Sequence, residues 1–232
     1  MSNAPSPQSP GQSETGQSDI VVTAYSPRYD AAFRGLMKAE GGHVNDPADR
    51  GGETQYGISL RFLKAEGALD ADGDGLADYD LDMDGDIDGA DIRLVTPGVA
   101  KALYHQCFWQ PLGAEQLVRP LGEMLFDQAV NGGLKAARKL LQRAINNCAM
   151  STFKRAGPRA LLTVDGQIGP RTRELLLWVL QYPALGMPAL TSAYREAAKA
   201  RYRAIAANNP SQRRFLNGWI ARANRLGRDG AA

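Results

Sequence analysis

Ten aspartates fall between Asp70 and Asp91, and no Lys or Arg answers them before Arg93. Carboxylates this close along a chain repel one another, so the stretch cannot be core and cannot hold an ordered shape unless a cation gathers it. Whatever the rest of the chain folds into must carry this segment as a surface loop. The segment also lies in the more acidic half of the chain. Residues 1–119 hold 9 Lys and Arg against 19 Asp and Glu, whereas residues 120–232 hold 18 against 6. The basic C-terminal half suits a polyanionic partner, either nucleic acid or an anionic wall polymer; a set of solvated helix faces is the plainer account.

Spacing narrows what the carboxylates can do. Asp80, Asp82, Asp84, Gly85, Asp86, Asp88 and Asp91 occupy positions 1, 3, 5, 6, 7, 9 and 12 of an EF-hand-type calcium loop. Asp86 would lend its backbone carbonyl, Gly85 permits the sharp turn, and Ile87 at the next position is expected to pack inward. The final ligand is Asp instead of Glu, which resembles the calcium loops of dockerin modules. A second frame, Asp70, Asp72, Asp74, Gly75 and Asp78, ends on Leu81 and is weaker. Asp80 or Asp82 could serve both frames, giving one or two calcium ions with a structural role. A solvated acidic linker is the alternative.

The remaining pattern is helical, and the fold class reads as mainly α. Leu134, Ala137, Leu140, Leu141, Ala144 and Ile145 form one apolar face. Helices are expected over Leu121–Val130 and Leu134–Cys148, broken by Asn131-Gly132-Gly133, and over Arg171–Gln181, Tyr194–Asn208 and Phe215–Leu226. In the N-terminal half Ser26-Pro27 starts a helix that runs to Glu40, Ile58–Glu66 reads as a short one, and Thr96-Pro97 starts another. Residues 1–24 read as a disordered tail, rich in Ser, Pro, Gln and Gly up to Asp19, with a short extended segment over Ile20–Ala24. Two further units follow, 25–119 with the acidic insertion 70–91, and 120–232.

Several classes fall away. The longest apolar run, Leu175–Leu180, is far short of the roughly 20 residues that cross a bilayer, so no membrane span and a monomer are expected. No nucleic-acid motif is present. Cys107 and Cys148 lack zinc-site spacing and read as buried thiols, a single disulfide being the alternative.

Glu40 is out of place. Phe33, Leu36 and Met37 follow helical spacing, and Glu40 falls one turn later on the same stripe, with Gly41-Gly42 ending the helix behind it. A carboxyl set among apolar side chains stays protonated at neutral pH and can serve as a general acid; a water-facing Glu at a helix end is the ordinary alternative. The loop Gly41–Gly57 is long and polar, which favours function. Farther on, Tyr104, Phe108, Trp109 and Pro111 cluster. Phe108 reads as core, and Trp109 as either core or a stacking surface for a sugar ring.

Glu40-Gly41-Gly42, Asn45-Asp46-Pro47, Asp49, Gly51-Gly52, Thr54 and Gly57-Ile58-Ser59 resemble the signature of glycoside hydrolase family 108, a group of bacterial and phage N-acetylmuramidases. The resemblance continues through Trp109-Gln110-Pro111-Leu112, Phe126–Gly132, Val164-Asp165-Gly166 with Gly169-Pro170, and Phe215 with Gly218-Trp219. It implies a lysozyme-like helical catalytic domain packed with a helical peptidoglycan-binding region. Glu40 would be the acid. Asp49 with Thr54 is favoured as the second group, ahead of Asp46 and Glu53, although Asx-turn capping accounts equally well for Asp46 and Asp49. Trp109, Tyr56 and Asn131 are the expected substrate contacts. His43 stands where the family often has an aromatic, and the acidic segment is an insertion. A lytic transglycosylase or a calcium-dependent, non-catalytic wall-binding module are the alternatives. The expected site of action is the periplasm or cell wall, reached without a visible signal peptide by a holin or specialised secretion route, or after cytoplasmic storage.

Overall fold

The structure is a computed structural model and describes residues 25–40, 53–67, 70, 73, 75–152 and 160–228. The tail, with its expected extended segment over Ile20–Ala24, lies outside them.

Helix α1 (Pro27–Glu40) starts as its sequence dictates, with the Tyr29 amide donating to Ser26 Oγ at 3.0 Å and Pro in the first turn. A two-stranded hairpin follows, β1 (Thr54–Gln55) pairing antiparallel with β2 (Ile58–Ser59). The helix expected from Ile58 therefore starts two residues later. Tyr56 and Gly57 both take positive φ, 49° and 77°, as a two-residue hairpin turn requires. Ser59 then caps α2 (Leu60–Glu66), accepting from the Phe62 amide at 3.2 Å.

Beyond the acidic segment come α3 (Gly89–Leu94) and α4 (Pro97–Tyr104), the latter capped by Thr96. Helix α4 runs on through a π-helical segment, His105–Trp109, into α5 (Gln110–Leu112) and stops at Gly113 in the left-handed region. Next, α6 (Leu121–Gly132) and α7 (Leu134–Thr152) are separated by Gly133 alone. Helices α8 (Pro170–Gln181), α9 (Gly186–Asn208) and α10 (Leu216–Arg225) complete the chain. Helix α9 begins earlier than its apolar pattern suggests, and Phe215 belongs to a 3₁₀ turn before α10.

Two apolar cores result, and α6 stands between them. Its Leu121, Met124 and Leu125 join Leu140, Leu141, Ile145, Val179, Tyr194 and Tyr202 in the C-terminal core. Its Phe126 and Ala129 join Tyr29, Leu36, Leu103, Tyr104 and Trp109 in the N-terminal one. Each such aliphatic or aromatic side chain contributes about 1.5–3 kcal/mol when fully buried, so α6 is held from both sides. Polar ties follow the same division. Glu123 pairs with Arg28 of α1, Asp127 with Arg222 of α10, and Gln128 accepts from the Tyr202 hydroxyl of α9 at 3.1 Å. Cys107 and Cys148 are free thiols, and burial pushes both up to about 11.

Candidate active site

Glu40 is the last residue of α1. The helix that carries it is fixed by Tyr29, Phe33 and Leu36, all buried, and these share the stripe on which position 40 falls. The Tyr29 hydroxyl donates to the Lys101 carbonyl at 2.5 Å, and its ring packs against His105, Trp109 and Phe126. The first turn of α1 is thereby tied into the N-terminal core. The Glu40 side chain and Gly41–Gly52, with His43, Asp46 and Asp49, lie outside the described residues.

The chain returns at the hairpin, which presents Thr54 and Tyr56. Its position is set by three ties. Gln55 Nε2 donates to the carbonyls of Arg93 at 3.2 Å and Val95 at 2.8 Å, Glu53 pairs with Arg93 at 3.2 Å, and the Tyr104 hydroxyl donates to the Tyr56 carbonyl at 3.3 Å. Ile58 is buried beneath it. Tyr56 is the residue to notice: a side chain that is 36% exposed sits on a non-glycine backbone in the left-handed region, and strain of this kind costs about 1–3 kcal/mol.

Trp109 requires a correction. It is 2% exposed, with its indole N–H donating to Glu115 Oε2 at 3.1 Å and its ring against Tyr29 and Phe126. It offers no face on which a sugar could stack. Phe108 is core, as expected, and stacks on Phe62 at 5.4 Å. Asn131 is exposed in the last turn of α6, its amide donating to the Asp127 carbonyl at 2.9 Å. The rest of the Phe126–Gly132 block serves packing: Phe126 enters one core, while Asp127 and Gln128 reach the helices of the other. Sequence reasoning missed Arg28 altogether. Its guanidinium lies over Trp109 and donates to both Glu123 oxygens and to the carbonyls of Glu115 and Leu117.

Residues 75–91 of the acidic segment form a loop closed by its own hydrogen bonds. Asp80 is buried and accepts from the amides of Asp84 at 3.2 Å and Gly85 at 2.8 Å, where Gly85 has φ of 97°. Ile87 packs into the N-terminal core, as its position predicts. Asp88 caps α3, and Asp91, fully buried, accepts from the amides of Asp88 at 2.7 Å and Leu81 at 2.6 Å. Carboxylate oxygens of Asp80, Asp82 and Asp84 fall within 4.8 Å of one another. Desolvation and the nearby charges of Asp84 and Asp91 raise the Asp82 carboxyl. Asp86 is exposed beside them. In the weaker frame Asp70 accepts from Gly73 at 2.7 Å and Gly75 at 3.2 Å, while Asp72 and Asp74 lie outside the described residues.

Residues 33–133 match the family model described as Glycosyl hydrolase 108, and residues 136–224 match the Predicted Peptidoglycan domain. No curated protein matches the chain. Among solved structures, that titled "Structure of Brucella abortus SagA" superposes with a TM-score of 0.57 at 20% identity, covering 88% of this chain and 98% of its own. At that identity the likeness concerns the fold.

Proposed function

We propose, from the match of residues 33–133 to the glycosyl hydrolase 108 model and of residues 136–224 to a predicted peptidoglycan domain, a peptidoglycan hydrolase that cuts the β-1,4 bond between N-acetylmuramic acid and N-acetylglucosamine. The observation that carries the reading is Glu40 at the end of a helix locked into an aromatic core, next in the fold order to a strained, exposed hairpin turn. Glu40 in its neutral form gives its proton to the glycosidic oxygen as the bond to the anomeric carbon breaks. A water then adds to that carbon and passes its proton to the Asp49 carboxylate, and proton exchange with solvent restores neutral Glu40 and ionised Asp49. Asp49, helped by Thr54, is our choice for holding that water, and Tyr56 for contacting the glycan beside it.

The site of action is the wall. Among the described residues no helix is long and apolar enough to cross a membrane. For the acidic loop we propose one calcium ion on Asp80, Asp82 and Asp84, completed by the Asp86 carbonyl and Asp91. The convergent oxygens of the first three support it, and the ion would brace the N-terminal core through Ile87 without entering the chemistry.

Digestion of purified peptidoglycan by the wild type and Glu40→Gln, with mass spectrometry of the products, tests the assignment. Reducing-end muramic acid from the wild type and a loss of about 100-fold or more in the variant are expected. A 1,6-anhydro product would make the protein a lytic transglycosylase, undiminished lysis by the variant would remove Glu40 from the mechanism, and no cleavage by the wild type would leave a binding module.

A further inference from the structure

Two sequence blocks, Trp109–Leu112 and Val164–Pro170, take no part in the hydrolytic reading. In the fold they meet. Gln110–Gly113 on one side, and α7 with residues 165–168 on the other, line a groove of about 670 Å³. Its wall is built tightly. Gly166 has φ of 87°, and a Cβ there would come within 2.9 Å of Lys135 Cγ and 3.1 Å of the Lys135 carbonyl, so the loop closes directly on α7. Gln142 holds it, donating to Asp165 Oδ1 at 2.7 Å and the Gln167 carbonyl at 2.9 Å while accepting from the Gly166 amide at 2.8 Å. From α7, Arg138 spans the groove to the Pro111 carbonyl at 2.5 Å.

The groove carries a net positive charge. Lys135, Arg138 and Arg173 line it, and no ion pair among the described residues takes up Lys135 or Arg173. Its one lining carboxylate, the exposed Asp165, has Oδ1 engaged by Gln142 and the Gln167 amide, so three cations face a single anion. No aromatic ring lines the groove. Sugar faces are read by rings, whereas carboxylates are read by guanidinium and ammonium groups. In peptidoglycan the glycan is uncharged where its lactyl groups carry peptides, and the acidic groups sit on those stem peptides.

Resting on the reading of the chain as a peptidoglycan hydrolase, we propose that this groove binds the carboxylates of the stem peptides. It lies where the hydrolase and peptidoglycan regions join, so the contact would hold the wall against both.

The test is co-sedimentation of the full chain with insoluble peptidoglycan in three forms: intact, with its carboxyls chemically amidated, and with attached phosphate polymers removed. The Lys135→Glu, Arg173→Glu double variant should bind intact wall about tenfold more weakly. The wild type should fall to the same level on amidated wall and be unchanged by phosphate removal. Equal binding of wild type and variant, undiminished binding of the wild type to amidated wall, or dependence on the phosphate polymer would each overturn the proposal. Unfolding curves check that the variant is intact, and if it is not, the wild-type comparison of intact and amidated wall decides alone. Product release measured in parallel separates the two readings. Lost hydrolysis with charge-dependent binding refutes the hydrolase, and retained hydrolysis with charge-independent binding refutes the groove.

Discussion

Glu123→Gln probes the tie between α1 and α6. Arg28 is 9% exposed, and both oxygens of Glu123 accept from it, at 2.7 and 2.8 Å. Glutamine keeps the shape and one acceptor but removes the charge, leaving a buried guanidinium with neutral acceptors alone, that oxygen and the carbonyls of Glu115 and Leu117. Breaking one partner of a buried pair costs about 3–5 kcal/mol. A quarter of the Glu123 side chain still reaches water, which brings the expected loss to about 2–4 kcal/mol, or on the order of 10 °C in Tm. The pH dependence has a definite sign. Burial alone would raise the Glu123 carboxyl, but the Arg28 hydrogen bonds, its own helix amide and the charges of Arg28 and Arg119 bring it below its ordinary value of 4.5. A carboxyl lowered in the folded state stabilises fully above its unfolded value and loses that contribution as pH falls through the folded one. The gap between wild type and variant should therefore be constant near neutrality and shrink below about pH 4.5. Urea unfolding followed by tryptophan fluorescence across this range measures it. A gap under about 1 kcal/mol at neutral pH, or one that persists undiminished in acid, would refute the account.

Chelation should lower Tm by stripping the Asp80–Asp91 loop, and Asp80→Asn should remove that sensitivity; an unchanged melting curve in chelator would rule out an occupied site. Tyr56→Gly should stabilise the hairpin by about 1 kcal/mol, since the turn no longer forces a side chain into the left-handed region, while raising KM for glycan. Unchanged KM would deny Tyr56 a substrate contact. Trp109→Phe should lower stability through the lost Glu115 hydrogen bond and smaller ring, leaving activity per folded molecule intact; a fall in kcat/KM without a change in Tm would return Trp109 to the substrate.

What the sequence revealed was mostly local. Ser26 as a cap, Asn131-Gly132-Gly133 as a break and Ile87 as an inward side chain each depend on a few neighbouring residues; the structure agrees on Ser26 and Ile87, and narrows the break to Gly133, with Asn131 and Gly132 inside α6. The hairpin was hidden because two-residue strands are too short to show an alternating pattern; the signal was the Tyr56-Gly57 turn. Trp109 stayed ambiguous because helical spacing identifies an apolar face without saying what covers it, and its cover, Tyr29 and Phe126, comes from distant segments. The Arg28–Glu123 pair spans 95 residues and has no local signature. Glu40 stands out in the sequence because a carboxylate interrupts an apolar stripe, while its side chain lies outside the described residues.

Helix α6 has a further consequence. Because it lends side chains to both cores, and because one glycine separates it from α7, the half that cuts and the half that grips share no slack. A flexible tether would let a gripped molecule sweep many bonds within its reach. This chain can address only the bond that its own rigid span presents. Each further cut requires it to let go and land again, so on an insoluble wall its speed should be governed by how fast it dissociates.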